Sequence, residues 1–230
     1  MHLPSVIAID GPAGSGKSTL GKMLAEHMGY LYFDTGVMYR AVTYAALQKG
    51  VSIENEDAVT NLAEESHIEV IQPSKRDGRI NDILIDGQDV TWEIRRSDVD
   101  ANVSFVSAYA GVRHALSEKQ RQIGLQGKVV MVGRDIGTVV LPEAGYKFYL
   151  DASPEERAKR RYSELKARGF QVDFEFILAS IQERDRIDSS RELAPLRIGE
   201  GAIVINTNEL DISQVFDQML SFIEHGKTRI

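Results

Sequence analysis

The sequence predicts an α/β protein in which a five-stranded parallel sheet is flanked by helices, and three observations carry that prediction. Short apolar runs alternate with helical patterns through most of the 230 residues. A glycine-rich loop joins the first apolar run to the first helix. One stretch in the first half breaks the alternation, with two Asp-Gly pairs set among short β-prone runs, as antiparallel hairpins require.

Val6-Ile7-Ala8-Ile9 reads as a buried parallel strand because it is apolar without interruption. Gly11-Pro12-Ala13-Gly14-Ser15-Gly16-Lys17-Ser18 follows it and fits GxxxxGK[ST], a phosphate-binding loop in its required place between strand and helix. Gly11, Gly14 and Gly16 let the backbone turn tightly, so that several amide N–H groups converge on one anion. The helix beginning near Lys17 and running on through Thr19 adds unpaired donors and the positive end of its dipole. Lys17 should reach the β and γ phosphates of a nucleoside triphosphate, and the Ser18 hydroxyl should ligate Mg²⁺.

Tyr30–Phe33 reads as the second strand, with Asp34-Thr35-Gly36 as its exit turn. A helix over about Val37–Lys49 closes at Gly50, and Glu54–Glu65 is helical. Ile68–Ile71, the polar turn Lys75–Gly78, Ile83–Ile85, Asp86-Gly87 and Gln88–Val90 make a small antiparallel β insertion over about 67–91, since a parallel core has no use for tight hairpins in its middle. Trp92 at its end reads as packing. Helices resume over about 98–123. Val129–Val132 is a buried strand ending at Gly133-Arg134-Asp135, and Lys147–Leu150 is the next. Ser153-Pro154-Glu155-Glu156 starts a helix to Arg168 with Ser at the N-cap and Pro at the first helical position. Another helix spans about Asp173–Arg191, the last strand is Ala202–Asn206, and a final helix covers about Asp211–Glu224. Right-handed crossovers join the five strands.

Composition excludes several classes. There are no cysteines, so disulfides and thiolate metal sites are out, and the five histidines are scattered without metal spacing. A net charge of −7 disfavours nucleic acid or an acidic membrane as partner, leaving anions to be bound locally. No apolar run is long enough for a bilayer and the first strand begins at once, so a cytoplasmic protein is expected, working as a monomer.

Arginines then single out the acceptor of the phosphoryl group. Arg134 sits at the carboxyl end of a buried strand, where open parallel sheets bind ligands. Arg184, Asp188 and Arg191 fall at i, i+4 and i+7 of one predicted helix, and Arg157, Arg160 and Arg161 form a stripe on the helix before it. Mobile arginines there can meet the charge of a loose phosphoryl-transfer transition state. A hydroxyl acceptor would call for an orienting carboxylate, for which Asp34 and Asp135 are candidates, and Asp135 could equally be a magnesium ligand. A nucleoside monophosphate, already largely ionised at neutral pH, needs no such base. A switch GTPase is disfavoured because Asn206-Thr207-Asn208-Glu209 does not supply the Asn-Lys-x-Asp guanine motif.

The phosphate loop Gly11–Thr19, the segment Asp34-Thr35-Gly36-Val37-Met38-Tyr39-Arg40, the block Gly133-Arg134-Asp135-Ile136-Gly137-Thr138-Val139-Val140 and the run Glu183-Arg184-Asp185 through Arg191 with Ala194-Pro195-Leu196 together resemble the bacterial cytidylate kinases. The resemblance covers essentially the whole chain, in the family's order. It implies a P-loop kinase fold, ATP and CMP or dCMP as substrates, and Mg²⁺. The loop from Gly11 to Thr19 would bind ATP. Thr35, Arg40, Ser104, Arg113, Arg134, Asp135, Arg184, Asp188 and Arg191 would bind the acceptor: Arg40, Arg134 and Arg191 at its phosphate, Ser104, Arg113 and Asp135 at cytosine, Arg184 and Asp188 at the sugar. Lys17, Arg134, Arg157, Arg160 and Arg161 would act on the transferring group. The implied layout is one kinase unit, with a core of 1–33, 105–152 and 192–230, an acceptor-binding lobe over 34–104 that includes the β insertion, and a lid with its following helix over 153–191. Another small-metabolite kinase with a hydroxyl acceptor is the alternative.

Overall fold

A computed structural model describes residues 5–225 and separates them into two compact units. One holds the chain up to Tyr32 and again from Gln126; the other is Phe33–Leu125.

The first unit is built on β1 (Val6–Asp10), whose apolar residues leave it no solvent face, and on α1 (Lys17–Met28). β2 (Leu31–Asp34) carries the chain across into the second unit. After its return come β6 (Val129–Val132), a π-helical turn at Ile136–Val140, β7 (Tyr146–Asp151), α6 (Pro154–Ala167), α7 (Phe174–Ser190), β8 (Ile203–Asn206) and α8 (Ile212–His225). The sheet order is β2-β6-β1-β7-β8. β1 pairs in parallel with β6 and β7, and β7 with β8, so the five-stranded parallel sheet predicted from the apolar runs is present. Ile7 stands opposite Val130 and Ile9 opposite both Val132 and Phe148, and all of these are buried. β1 is therefore central, and the loop leaving its carboxyl end lies where the sheet presents ligands.

Local signals behave as their chemistry demands. The Ser153 hydroxyl accepts from Glu156 N at 3.2 Å with Pro154 in the first turn, and the Asp173 carboxylate caps α7 by accepting from Phe176 N at 2.8 Å. Arg191 departs from the expected helix stripe: α7 ends at Ser190, and Arg191 has extended backbone (φ −60°, ψ 136°). It still meets Asp188, three residues earlier, as an ion pair at the end of the helix. The Leu196 amide donates to the Asp188 carbonyl at 2.8 Å.

The second unit contains α2 (Gly36–Gln48), α3 (Glu56–Glu65), β3 (Ile68–Ile71), β4 (Asp82–Ile85), β5 (Gln88–Asp89), a 3₁₀ turn at Glu93–Arg95, α4 (Ser97–Val106) and α5 (Ala110–Leu125). The helical pattern from 98 is broken between Val106 and Ala110. The Ser107 hydroxyl donates to the Ser104 carbonyl, and Arg113 Nη1 takes the Ser107 carbonyl at 2.9 Å, which together end α4.

The β insertion is the antiparallel sheet β3-β4-β5, as predicted. Asp86 and Gly87, with φ of 50° and 79°, make the two-residue turn that right-twisted strands prefer. Asp77-Gly78 makes no tight hairpin, because the connection from β3 to β4 runs over ten residues, 72–81, around a buried guanidinium. Arg79 bonds Asp77 through Nε at 2.9 Å and through Nη2 at 2.8 Å, and its Nη1 reaches Asp82 at 2.7 Å and Asp89 at 2.8 Å. Trp92 joins this cluster: its indole N–H donates to Asp77 and the Arg95 guanidinium lies 5.2 Å from its ring, so it is half-exposed, with a polar role that a packing residue lacks. Hydrogen bonds hold Asp77 and Asp89 well below the usual carboxylate range, through Arg79 for Asp77 and through Thr91 and then Arg79 for Asp89. Groups lowered in this way stabilise the folded form above the ordinary carboxylate value and lose that contribution as pH falls through the folded one. Arg79→Met should therefore lower the melting temperature at neutral pH and narrow its gap to the parent in acid; superimposable melting curves at pH 7 would contradict the cluster's role.

Candidate active site

The phosphate loop is preformed. Gly11 has φ +145°, and a Cβ there would lie 2.2 Å from the Leu150 carbonyl oxygen, so only glycine admits this path between β1 and β7. α1 begins at Lys17 with no side-chain hydrogen bond from its N-cap residue Gly16, and Ser18 and Thr19 are exposed in its first turn. Lys17 is buried, its ammonium donating to the Pro12 carbonyl at 2.5 Å and to Ser15 Oγ at 3.4 Å. Gly11, Pro12, Ala13, Gly14, Ser15, Gly16, Lys17, Ser18 and Thr19 thus form one continuous cradle.

Arg157 is placed otherwise than a mobile lid group. It is 2% exposed, and its guanidinium is fully employed: Nε donates to the Ala152 carbonyl, Nη1 to the Ala13 carbonyl at 3.1 Å, and Nη1 and Nη2 fork onto Asp185 at 3.0 and 2.5 Å. It ties the phosphate loop to α7. Arg160 is half-buried and bonds Thr207, in the loop after β8, through both the hydroxyl and the carbonyl, with Glu156 as an ion-pair partner. Arg161 is exposed and paired with Glu164 on its own helix. Of the three predicted lid arginines, Arg161 alone keeps its head group mainly in solvent in this conformation.

Arg134, Asp188 and Arg191 are brought together. Asp188 is buried between Arg134, whose Nε lies 2.8 Å from Oδ2, and Arg191, paired with Oδ1. Burial pushes the Asp188 carboxyl up, but the charges of Arg134 and Arg191 outweigh it and hold the group below the usual range. Arg184 is half-buried one turn before Asp188, and its charge acts in the same direction. Asp135 is 4% exposed and introduces the π-helical turn.

In the second unit Thr35 is buried at the start of α2, and Arg40 Nη1 is 2.5 Å from Asp100 Oδ1 and 3.2 Å from the Ile94 carbonyl. Arg113 is 2% exposed, with its guanidinium 5.5 Å from the Tyr39 ring. Ser104 is half-buried on α4.

Two residues of the first unit escaped the sequence reading. Asp185 lies inside the Glu183–Arg191 run, but nothing in one sequence says that it binds Arg157 28 residues earlier. Asp10 is the last residue of β1 and buried, its carboxylate accepting from Ile136 N at 2.8 Å and Gly137 N at 2.7 Å. Burial pushes Asp10 up from 3.8 to about 6, against the opposing pull of those two amides and of Lys17, with Asp135 adding to the rise. Because the folded form favours the proton, this group's contribution to stability is complete below 3.8 and is lost as pH rises through about 6.

The cytidylate kinase family model matches residues 7–225. A cytidylate kinase of Herpetosiphon aurantiacus is 49% identical over 97% of this chain and 96% of its own, and one of Bacillus subtilis is 46% identical over 95% and 96%. Among solved structures, a shikimate kinase from Acinetobacter baumannii in complex with shikimate aligns at a TM-score of 0.47 with 20% identity, over 99% of this chain and 96% of that one. A match that runs from the phosphate loop through the Gly-Arg-Asp block and the Arg184–Arg191 cluster, at nearly half identity, shows that the chain belongs to the cytidylate kinase family.

Proposed function

We propose that this chain transfers the γ-phosphoryl group of ATP to CMP or dCMP, giving ADP and CDP or dCDP. The observation that carries the reading is the path from donor loop to arginine cluster inside one unit. Arg157 joins the Ala13 carbonyl of the phosphate loop to Asp185, which lies one helical turn from Asp188 and its two arginines. The loop and the amides of α1 suit the β and γ phosphates of ATP. Arg134 and Arg191 suit a dianionic acceptor phosphate. Arg184 and Asp188 would take the sugar hydroxyls. Arg160 and Arg161 would have to leave Thr207 and Glu164 to reach the transferring group.

Magnesium commonly takes substrate phosphate oxygens and several waters with only one or two protein ligands, so the exposed Ser18 hydroxyl in the first turn of α1 fits it. Bound there, the ion would neutralise charge on the β- and γ-phosphoryl oxygens. We read the activity as part of cytoplasmic pyrimidine nucleotide metabolism, carried out by the single chain.

Base choice follows from Asp135. Its carboxylate would accept from the cytosine amine. Uracil would set a carbonyl against Asp135, and an unpaired buried group costs about 1–3 kcal/mol. CMP should therefore exceed UMP in kcat/KM by about tenfold or more. A coupled ADP-release assay with ATP and Mg²⁺ against CMP, dCMP, UMP, AMP and shikimate checks both statements. Equal use of UMP would overturn the base assignment, and turnover of shikimate without CMP would overturn the reaction.

A further inference from the structure

Arg134 and Asp135 form a two-residue arch whose both ends are fastened to the end of β1. On one side the Gly133 amide donates to the Ile9 carbonyl at 3.0 Å. On the other, the Ile136 and Gly137 amides donate to the two oxygens of Asp10 at 2.8 and 2.7 Å. Asp10 is also the residue immediately before Gly11, where the phosphate loop begins. One buried carboxylate thus fixes the arch to the donor loop, across more than 120 residues of sequence.

The fit is close. A Cβ at Gly137 would lie 3.3 Å from Asp10 Oδ2 and 3.0 Å from Lys147 Cδ, so a side chain there would push the carboxylate or the lysine stem by a few tenths of an ångström. A buried anion is a costly way to hold a loop, since burial disfavours its charged form. It does, however, offer two acceptors in one plane to two successive amides. An asparagine would turn its NH₂ against one of those N–H groups, and an apolar residue would leave both unpaired.

We propose that Asp10 is a positioning residue for the acceptor nucleotide: it sets the backbone of residues 135–137, and through it the direction of Asp135 and Arg134, relative to the phosphate loop. The proposal rests on the reading of Asp135 as the contact to the cytosine amine. It makes Asp10 a determinant of base selectivity that touches neither nucleotide.

The test compares the parent enzyme with Asp10→Asn and Gly137→Ala, the second of which keeps the carboxylate but crowds it by a methyl group. In each, kcat/KM is measured for CMP and UMP, and amide exchange is followed at Ile136 and Gly137 with Val129–Val132 as the internal reference. Asp10→Asn should lower kcat/KM for CMP by about tenfold, narrow the CMP-to-UMP ratio and speed exchange at 136 and 137 while β6 stays protected. Gly137→Ala should shift the ratio the same way, and it decides the matter if the asparagine variant does not fold. An unchanged ratio in the folded variants would overturn the proposal and leave Asp10 as scaffold, and so would unchanged exchange at 136 and 137. If the parent itself does not discriminate CMP from UMP, the base reading falls. The positioning role is then decided by KM for the accepted nucleotide together with exchange at the two amides.

Discussion

Replacing Lys17 with methionine should lower kcat by about two to three orders of magnitude, the loss typical when a preorganised donor to developing charge is removed. The ammonium is already in place before any nucleotide arrives. It is held at 2.5 Å by the Pro12 carbonyl and near Ser15 Oγ, with its stem buried in the first turn of α1. On binding ATP it would exchange a neutral carbonyl for phosphoryl oxygens, whose charge grows as the bond to the leaving oxygen loosens. The gain would then be larger in the transition state than in the bound substrate, and it should appear mainly in kcat. Methionine keeps most of the stem's apolar contact, so the melting temperature should move little. Steady-state kinetics with saturating ATP and CMP decide the point: a kcat within threefold of the parent would remove Lys17 from the reaction.

The parts of this architecture that depend on neighbouring residues were legible in the sequence. Val6–Ile9 and Val129–Val132 announce buried parallel strands because both faces of each are covered, and the phosphate loop announces itself because its amides need glycines at fixed places. Ser153-Pro154 marks a helix start for equally local reasons. What could not be read depends on partners far along the chain. Asp10 looks like any polar residue at a strand end until Ile136 and Gly137 are folded onto it. Arg157, in a run of charged residues on α6, looks like part of a solvated face, yet it is buried because Ala13 and Asp185 absorb its hydrogen bonds. Arg79 looks like a turn residue for another reason: its partners Asp77, Asp82 and Asp89 are all within ten residues, but only the folded insertion turns the three onto one guanidinium.

These long-range contacts share a pattern. Arg157, Asp10 and Asp188 each join a residue beside or within the phosphate loop, or on the Arg134 arch, to a segment elsewhere in the first unit. Each does so with a charged group removed from water, where removing one partner strands the other. The functional segments are thereby held in register by electrostatics, and the apolar sheet beneath them supplies the burial that makes those interactions strong.

Asp188→Asn is the sharpest probe of that arrangement, and its effects should run in opposite directions for the free and the liganded enzyme. In the free enzyme the carboxylate is the anion between Arg134 and Arg191. Neutralising it leaves two guanidinium groups facing each other around a poor acceptor, and breaking a buried pair of this kind costs on the order of 3 kcal/mol. The melting temperature at pH 7 should fall by several degrees. Because the carboxyl is held below its usual value in the folded state, the parent's advantage is fully present at neutral pH and is lost as pH falls through that lowered value. The gap between the two melting curves should therefore close in acid. An acceptor phosphate placed on Arg134 and Arg191 would supply the missing negative charge, so CMP should raise the variant's melting temperature by more than it raises the parent's. Catalysis would still suffer, by about a hundredfold in kcat/KM for CMP, since a misdirected arginine pair loses transition-state contacts at this energetic scale. Thermal melts of both proteins with and without CMP read every one of these signs. Inorganic phosphate, which has no sugar for Asp188 to hold, separates the two roles: if it raises the variant's melting temperature no more than the parent's, Arg134 and Arg191 bind Asp188 alone, and the acceptor phosphate would have to be sought elsewhere.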